Sequence, residues 1–313
     1  MYSIEELANY ISLEEIPSSW KNCFNYISNK YQPNWLNCFD FNEILEYYEF
    51  DDAFKNRVKQ EIELLKNDTK LNFICYIFYY ILFYAEYKSY CNIWSWKSTI
   101  NVFKNNGSYT IPIIALLCGY ELHIKNMKLR KFDNNQIELQ KYNIRLTCTN
   151  DRKKHNIDGI RFSQMIWGSL FIKGNLIQIG RLQYEIDDHN FNKLDKYCKE
   201  KYKCIFIHIP RGKDLKEKDV NDSINNADNY IKKYYPELKT EKLVYYTQSW
   251  LLSPEVKAIL PNDSNIVKFQ NKFNIIKYEE NIIDFLDFVF NEPLENVNYN
   301  NLQETTTLQR GLK

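Results

Sequence analysis

The sequence has few of the residues that a metal site, a disulfide framework or a flexible architecture requires. Its 313 residues include 8 cysteines, 4 histidines, 8 glycines and 8 prolines. The cysteines form no Cys-x-x-Cys pair, and the histidines lack the close spacing of a ligand pair. Metal sites usually draw on such pairs, so we expect no bound metal. A glycine-rich phosphate-binding fingerprint is also missing.

An excess of charge of either sign is missing as well. The chain carries 41 Lys and Arg against 40 Asp and Glu, for a net charge of +1. Proteins that bind nucleic acid through its phosphates normally show a basic excess, so we expect no nucleic-acid partner. The first six residues have neither the basic start nor the apolar run of a secretory signal. Together with the scattered cysteines, this predicts a cytoplasmic protein with reduced thiols.

No apolar stretch is long enough to cross a membrane. The uncharged run 73–85 contains four tyrosines and is followed by Glu86. A spanning helix needs about 20 apolar residues, and this run is shorter. We therefore predict a buried core helix and no membrane span.

Aromatic residues are abundant, at 16% of the chain with 25 Tyr and 19 Phe, and they supply large buried surfaces. The first part of the chain has a helical period, beginning with a capping box at Ser3 and Glu6. Pro112 is expected in the first turn of a short helix that Gly119 ends in the left-handed conformation. The pattern over 133–154 fits a helix or a strand, and we favour the helix. The other predicted helices begin at 17 and cover 41–49, 52–66 and 68–90.

From about residue 160 the pattern favours strands. We predict a β-hairpin whose strands are 170–172 and 176–185, joined by a turn at Lys173-Gly174-Asn175. The remaining predicted strands are 203–209, 243–250 and 273–278, and the remaining helices are 219–235, 254–260, 264–272 and 281–290. This order indicates an α+β fold, with an α/β-like sheet domain in the second half of the chain.

Four segments carry a family resemblance. They are Gly180–Glu185, His208–Gly212 with Leu215, Ser249–Pro254 and Ser264–Gln270. They resemble a bacterial acyltransferase-domain family with a helical N-acyltransferase N-terminal domain and a GNAT-like C-terminal domain. The resemblance implies a helical domain over 1–130 and a GNAT-like mixed β-sheet domain with flanking helices over 131–293. The polar composition of residues 294–313 predicts a disordered tail.

The family resemblance also implies an activity. It implies transfer of an acyl group from acyl-CoA, or from a carrier protein, to an acceptor amine by direct attack. CoA would then be a co-substrate rather than a permanently bound cofactor. The partners expected are a small-molecule acyl donor and an amine; the sequence leaves the oligomeric state open.

In a GNAT-like fold the donor lies in a gap between two neighbouring strands, here 203–209 and 243–250. The resemblance then places the pyrophosphate at the turn that leads into the helix starting at 219, where backbone N–H groups bind phosphate. Trp250 would form a wall of the acyl channel, or simply pack. The candidate cofactor-binding residues are Ile209, Arg211, Gly212, Lys213 and Trp250.

Acyl transfer to an amine needs a base for the amine proton and a donor to the thioester carbonyl. The candidate catalytic residues are Glu185, His208 and Ser249, each placed at a predicted strand end. Either Glu185 or His208 could be the base, or the two could act as a pair, and Ser249 could hydrogen-bond the pantetheine or the thioester. The competing interpretation makes Glu185 an ion-pair partner of Arg181 and His208 a core residue.

An alternative function is a catalytically inactive GNAT-like module that binds acyl-CoA or a peptide. The chain lacks the Q/R-x-x-G-x-G/A pyrophosphate loop of GNAT enzymes, and this favours the alternative.

Overall fold

The computed structural model describes residues 2–10, 16, 18–85, 110–155, 160, 162–186, 202–210, 214–277, 289–290, 298–302 and 304–312. The chain divides into two units, Met1–Asn175 and Leu176–Lys313. The division therefore lies after Asn175, whereas the sequence led us to expect a limit near residue 130. The physical reason is that the helices between these positions pack with the preceding ones, as described below.

The described part of the first unit is helical. Its α-helices are α1 (Ile4–Tyr10), α2 (Ser18–Ser28), α3 (Phe41–Tyr47), α4 (Asp52–Asn67), α5 (Thr69–Tyr80), α6 (Ile111–Leu117), α7 (Tyr120–Arg130), α8 (Asn134–His155) and α9 (Phe162–Ile172). A 3₁₀ turn at Trp35–Cys38 and a π turn at Ile81–Ala85 complete them. Helix α9 packs against α6, α7 and α8. The helix predicted over 133–154 is confirmed by α8.

Side-chain caps fix where several of these helices begin. The Ser3 N–H donates to the Glu6 carboxylate at 2.7 Å, and the Glu6 N–H donates to the Ser3 hydroxyl at 3.1 Å. This capping box confirms the one predicted from sequence. The carboxylates of Asp40, Asp51 and Asp68 cap α3, α4 and α5 by accepting from backbone N–H groups of the first turn. Each such cap stabilises a helix by about 1 kcal/mol.

Helix α5 forms much of the core of the first unit. Phe73, Ile74, Cys75 and Phe78 are all buried, which confirms the predicted core helix. Its Asn72 side chain accepts hydrogen bonds from nearby aromatic groups, at 2.8 Å from the Trp35 indole in one case. Among the helices of the described residues, none has the length and apolar character to cross a membrane.

Gly119 has a packing role rather than the helix-ending role we predicted. Its φ is −76°, outside the left-handed region. A Cβ atom at this position would collide with the side chains of Phe83 and Ile172. Glycine is therefore needed for close approach, and it precedes α7 rather than ending α6 in a left-handed cap.

The second unit contains a four-stranded mixed sheet. Its strands are β1 (Leu176–Ile179), β2 (Leu182–Ile186), β3 (Lys203–His208) and β4 (Leu243–Tyr246), in the spatial order β1-β2-β3-β4. The β1–β2 and β2–β3 pairs are antiparallel, and the β3–β4 pair is parallel. A parallel pair needs a crossover, which here contains α10 (Glu217–Tyr234). The other described α-helices are α11 (Pro254–Ile259), α12 (Asn265–Gln270) and α13 (Thr307–Leu312).

The hairpin is displaced from its predicted position. Residues 170–172 are the end of α9, and the true hairpin consists of β1 and β2 around a turn at Gly180 and Arg181. Gly180 has φ +58°, which glycine adopts without strain. Gly174, at φ +68°, instead ends α9, because the Asn175 N–H donates to the Leu170 carbonyl at 2.9 Å.

Other elements of the second unit agree with the prediction only in part. Helices α10, α11 and α12 confirm the predicted helices. Strand β4 ends at Tyr246 instead of 250, and the described residues 273–277 form no strand, so those predictions are wrong. Residues 281–288 of the last predicted helix lie outside the described residues. Helix α13 overturns the prediction of disorder over Thr307–Leu312, since the Gln309 side chain accepts from the N–H groups of Thr305 and Thr306, both at 2.9 Å.

Candidate active site

The pairing of the two parallel strands, β3 and β4, stops before the carboxyl end of β3. The β3–β4 ladder ends at the pair Phe206 and Tyr246, but β3 continues to His208, which pairs with Gln183 of β2. The last residues of β3 are therefore paired on the β2 side while β4 has already ended. Ligands bind preferentially where neighbouring parallel strands separate beyond their carboxyl ends. This point is the candidate active site.

Glu185 and His208 meet at this point. Glu185 Oε2 lies 2.7 Å from His208 Nε2. Both side chains are mostly buried, with exposed fractions of 17% and 15%. The pairing follows from the β2–β3 register, which sets Gln183 opposite His208 and Glu185 opposite Phe206. These residues share one face of the sheet because side chains alternate along a strand.

A row of rings extends from His208 along the same face. The His208 and Phe206 rings have centroids 4.1 Å apart. The Phe206 ring stacks on Tyr246 at 4.6 Å with an interplanar angle of 16°. All three side chains are partly exposed. We call His208, Phe206 and Tyr246 the ring row.

The opposite face of the sheet packs against α10. Tyr184 is buried there with its hydroxyl 3.0 Å from Ser223 Oγ. The Tyr245 hydroxyl donates to Asp228 at 2.8 Å, and the two tyrosine rings meet edge to face. Burial raises the pKa of Tyr184 to about 12 and also raises that of Tyr245. The two faces therefore differ in their partners: Tyr184 and Tyr245 bond to α10 on one face, and the rings of the other face adjoin the Glu185–His208 pair.

Ser249 lies beyond the end of β4, contrary to the prediction that it would end the strand. Its hydroxyl caps a 3₁₀ turn, Trp250–Leu252, by accepting from the Leu251 N–H at 3.2 Å. The Gln270 amide donates to the Leu251 carbonyl at 2.6 Å, which fixes the turn against α12. Trp250 is the first residue of this turn and is partly exposed. The correction has a physical cause, since the serine stabilises a turn rather than a sheet ladder.

The donor-binding candidates are described only in part. Ile209 follows β3 directly and is partly exposed. Arg211, Gly212 and Lys213 lie outside the described residues. The first residue described after them is Asp214, whose carbonyl accepts from Arg181 Nε at 2.9 Å.

Sequence reasoning missed several residues of this region. Arg181 was considered only as a partner of Glu185, but its buried guanidinium ties the β1–β2 turn to the segment that leads into α10. Burial lowers its pKa, against the opposing effect of Asp214 and Asp219. Phe206 was also missed, although its i, i+2 spacing from His208 in a predicted strand was a usable signal.

Comparisons with known proteins support a GNAT-like fold for the second unit. Residues 176–313 match the family described as the GNAT-like C-terminal domain. Among curated proteins, none matches the chain in sequence. Within the described residues, no group of three or more His, Cys, Asp or Glu is arranged to hold a metal ion.

Several solved structures are similar to the whole chain. One is an acyltransferase in complex with decanoyl-CoA and teicoplanin, with TM-score 0.72 and 14% identity over 98% of this chain and 93% of that chain. Another is an acyltransferase in complex with decanoyl-CoA, with TM-score 0.71 and 16% identity over 99% and 94%. A third is an acyltransferase mutant in complex with octanoyl-CoA, with TM-score 0.74 and 14% identity over 98% and 93%. At this identity the likeness establishes the fold, which is α+β with a helical N-terminal part and a GNAT-like mixed sheet.

Proposed function

Because residues 176–313 match the GNAT-like C-terminal domain, we propose that the protein is an acyltransferase. It moves an acyl group from acyl-CoA, or from an acylated carrier protein, to an acceptor amine by direct attack. The observation that carries the proposal is the Glu185–His208 hydrogen bond at the point where β3 and β4 part. Structurally similar acyltransferases that bind acyl-CoA support the choice of donor.

The chemistry follows from the geometry of this pair. The acceptor amine attacks the thioester carbonyl, a C–N bond forms, the C–S bond breaks, and the CoA thiolate leaves. The amine must lose a proton, which His208 takes while the Glu185 carboxylate stabilises the resulting imidazolium. The proton then goes to the departing thiolate. The same hydrogen bond also fits the opposite roles, in which Glu185 is the base and His208 orients its carboxylate.

The donor is held by the strand ends and the turn after β3. Ile209 lies beside the separated strands, and Gly212 permits close approach of the backbone to a pyrophosphate. Arg211 and Lys213 supply positive charge for the phosphates. Ser249 and Trp250 lie beyond β4, where they contact the pantetheine and the acyl group. Arg181 positions the end of this turn through its bond to the Asp214 carbonyl.

We place the enzyme in the cytoplasm, where CoA thioesters and reduced thiols coexist. Cys75, Cys118 and Cys148 are buried free thiols, and burial raises the pKa of each of them. Buried thiols of raised pKa are unreactive and fit a core role. A reducing compartment is consistent with that use of cysteine.

A second candidate is a module that binds acyl-CoA without turnover. The missing Q/R-x-x-G-x-G/A loop favours it. In that case the Glu185–His208 pair is a structural ion pair that links β2 to β3.

The test combines a donor panel with an amine panel. Purified protein is incubated with acetyl-, octanoyl- and palmitoyl-CoA and with primary amines of different size, and free thiol is measured over time. Amine-dependent thiol release with at least one donor supports the enzyme. Tight CoA binding with no release for any amine points to the binding module. Absence of CoA binding rules out acyl-CoA as donor or ligand, and the same assay with an acylated carrier protein then tests the other donor.

A further inference from the structure

The two aromatic rings at the end of the β3–β4 ladder mark a second feature of the site. Phe206 and Tyr246 are the last paired residues of the two parallel strands, and their rings stack at 4.6 Å. A group bound just beyond the end of this ladder would therefore lie next to these rings. Phe206 also contacts the imidazole of His208, with ring centroids 4.1 Å apart.

The opposite face of the sheet packs against α10 in the described residues. There Tyr184 is fully buried, and Tyr245 is bonded to Asp228 of α10. A second hydrogen bond joins Tyr184 to Ser223 on the same helix. Tyr245 and the ring row are all partly exposed, but the hydroxyls of Tyr184 and Tyr245 are held by α10.

The reaction fixes where the acyl chain begins. If His208 takes the proton of the attacking amine, the thioester carbon lies within a few bond lengths of its ring. The next carbons of the acyl group must then leave the carbonyl along one face of the sheet. On the ring-row side they would run over Phe206 and then Tyr246, in contact with apolar ring faces.

We propose that Phe206 and Tyr246 form the binding surface for an apolar acyl chain and set the preference of the enzyme for chain length. This inference rests on the proposed function and goes beyond it by naming the class of donor, a medium-length fatty acyl thioester. Stacked rings offer wide apolar faces, and burying a chain on them removes its methylenes from water. Acetyl groups are too short to reach Tyr246.

The experiment measures Kd by calorimetry for CoA, acetyl-CoA and octanoyl-CoA with the full chain. Each buried methylene strengthens binding roughly fourfold, so we expect octanoyl-CoA to bind at least about tenfold more tightly than acetyl-CoA. Phe206→Ala and Tyr246→Ala should each reduce this ratio to about threefold or less, because the apolar surface is lost. Their Kd for CoA itself should stay within about twofold of the wild-type value, since unacylated CoA has no chain to lay on the rings.

Tyr230→Ala is the matched control. Tyr230 is a tyrosine of α10 with 40% exposure, and its ring is in tilted contact with Tyr234 of the same helix. This variant should keep the wild-type ratio. Tyr246 lies on the last strand of the described sheet, so its variant carries the test if Phe206→Ala does not fold.

Three results would contradict the inference or its premise. Equal Kd values for acetyl- and octanoyl-CoA overturn the acyl-chain surface and leave the proposed function standing. If the ratio of the Kd values for acetyl-CoA and octanoyl-CoA is unchanged in folded Phe206→Ala and Tyr246→Ala, the acyl-chain surface is overturned as well. The rings would then bind the acceptor or serve only in packing. Failure to bind CoA overturns acyl-CoA as the donor, and this inference with it, and leaves only the carrier-protein form of the proposed function.

Discussion

Glu185 Oε2 lies 2.7 Å from His208 Nε2, although 23 positions separate the two residues in the chain. The antiparallel β2–β3 register makes them diagonal neighbours on one sheet face, within reach of long side chains. The contact lies beside the last residues of β3, which extend beyond the end of the β3–β4 ladder. That ladder is the only parallel pairing of the described sheet. The imidazole of His208 and the carboxylate of Glu185 therefore lie together beside the end of the β3–β4 ladder.

The hydroxyl of Ser223 joins α10 to the hairpin, and its removal should destabilise the second unit. Ser223 Oγ donates to the Ile179 carbonyl, accepts from the Leu182 N–H at 3.3 Å, and lies 3.0 Å from the Tyr184 hydroxyl. Ser223→Ala leaves these buried groups without that partner, so we expect a loss of about 1–3 kcal/mol in the free energy of unfolding.

Urea denaturation followed by circular dichroism measures this loss. Asn229→Ala, at an exposed position of the same helix, is the control and should change stability by less than about 0.5 kcal/mol. A Ser223 variant as stable as that control would show that the hydroxyl contributes no net stability.

His123 should make the first unit sensitive to mild acid. Its side chain is buried, its Nδ1 lies 2.8 Å from the Tyr48 hydroxyl, and its Nε2 has no hydrogen-bond partner among the described residues. Burial lowers its pKa from 6.5 to about 3. The unfolded chain therefore binds a proton that the folded chain excludes between these values, and stability falls as pH drops from 6.5 towards 3.

The contribution is small above pH 6.5 and grows by about 1.4 kcal/mol per pH unit below it. His123→Gln removes the titration, so the loss of unfolding free energy from pH 7.5 to pH 5 should be about 2 kcal/mol smaller in the variant than in the wild type. The comparison uses urea unfolding at both pH values, and identical pH dependence of the two proteins would contradict the prediction. The control variant is His208→Asn, which removes a histidine from the other unit and leaves His123 in place.

Gly119→Ala should destabilise the first unit by overpacking. The added Cβ would collide with the side chains of Phe83 and Ile172 in a buried region. Such strain costs about 1–3 kcal/mol, to be read from the midpoint and slope of urea unfolding. A variant of wild-type stability would mean that the two neighbouring side chains move aside freely.

The parts of the fold that local hydrogen bonds determine could be predicted from the sequence. Ser3 with Glu6 and Pro112 near the start of α6 signal helix starts within a few residues, and the structure confirms them. The sequence predicts a strand over 170–172, where the structure has a helix. A segment whose side chains are all buried shows no hydrophobic periodicity, which is the signal that distinguishes a helix from a strand. Gly119 was misjudged because its constraint comes from Phe83, which is distant in sequence.

The sequence offers candidate residues for the site but does not show how they are arranged. Glu185 and His208 were both named, yet the choice between a joint role and separate roles required the β2–β3 register. The predicted strand reaches Ser249 because the residue pattern of 243–250 does not show where the ladder ends. Phe206 and Tyr246 look like ordinary core residues in sequence, and only the stacking across β3 and β4 reveals them as a surface.

The most direct test of the account is the rate of amine-dependent CoA release by the wild type, Glu185→Gln and His208→Asn. The measurement uses saturating acyl-CoA and amine, with the Kd for CoA determined in parallel. We predict that His208→Asn lowers kcat by about 10²-fold or more and that Glu185→Gln lowers it as well, while CoA affinity changes little, because general-base catalysis contributes about 10²–10⁴-fold. Wild-type turnover in both folded variants would contradict the central claim that this pair handles the amine proton.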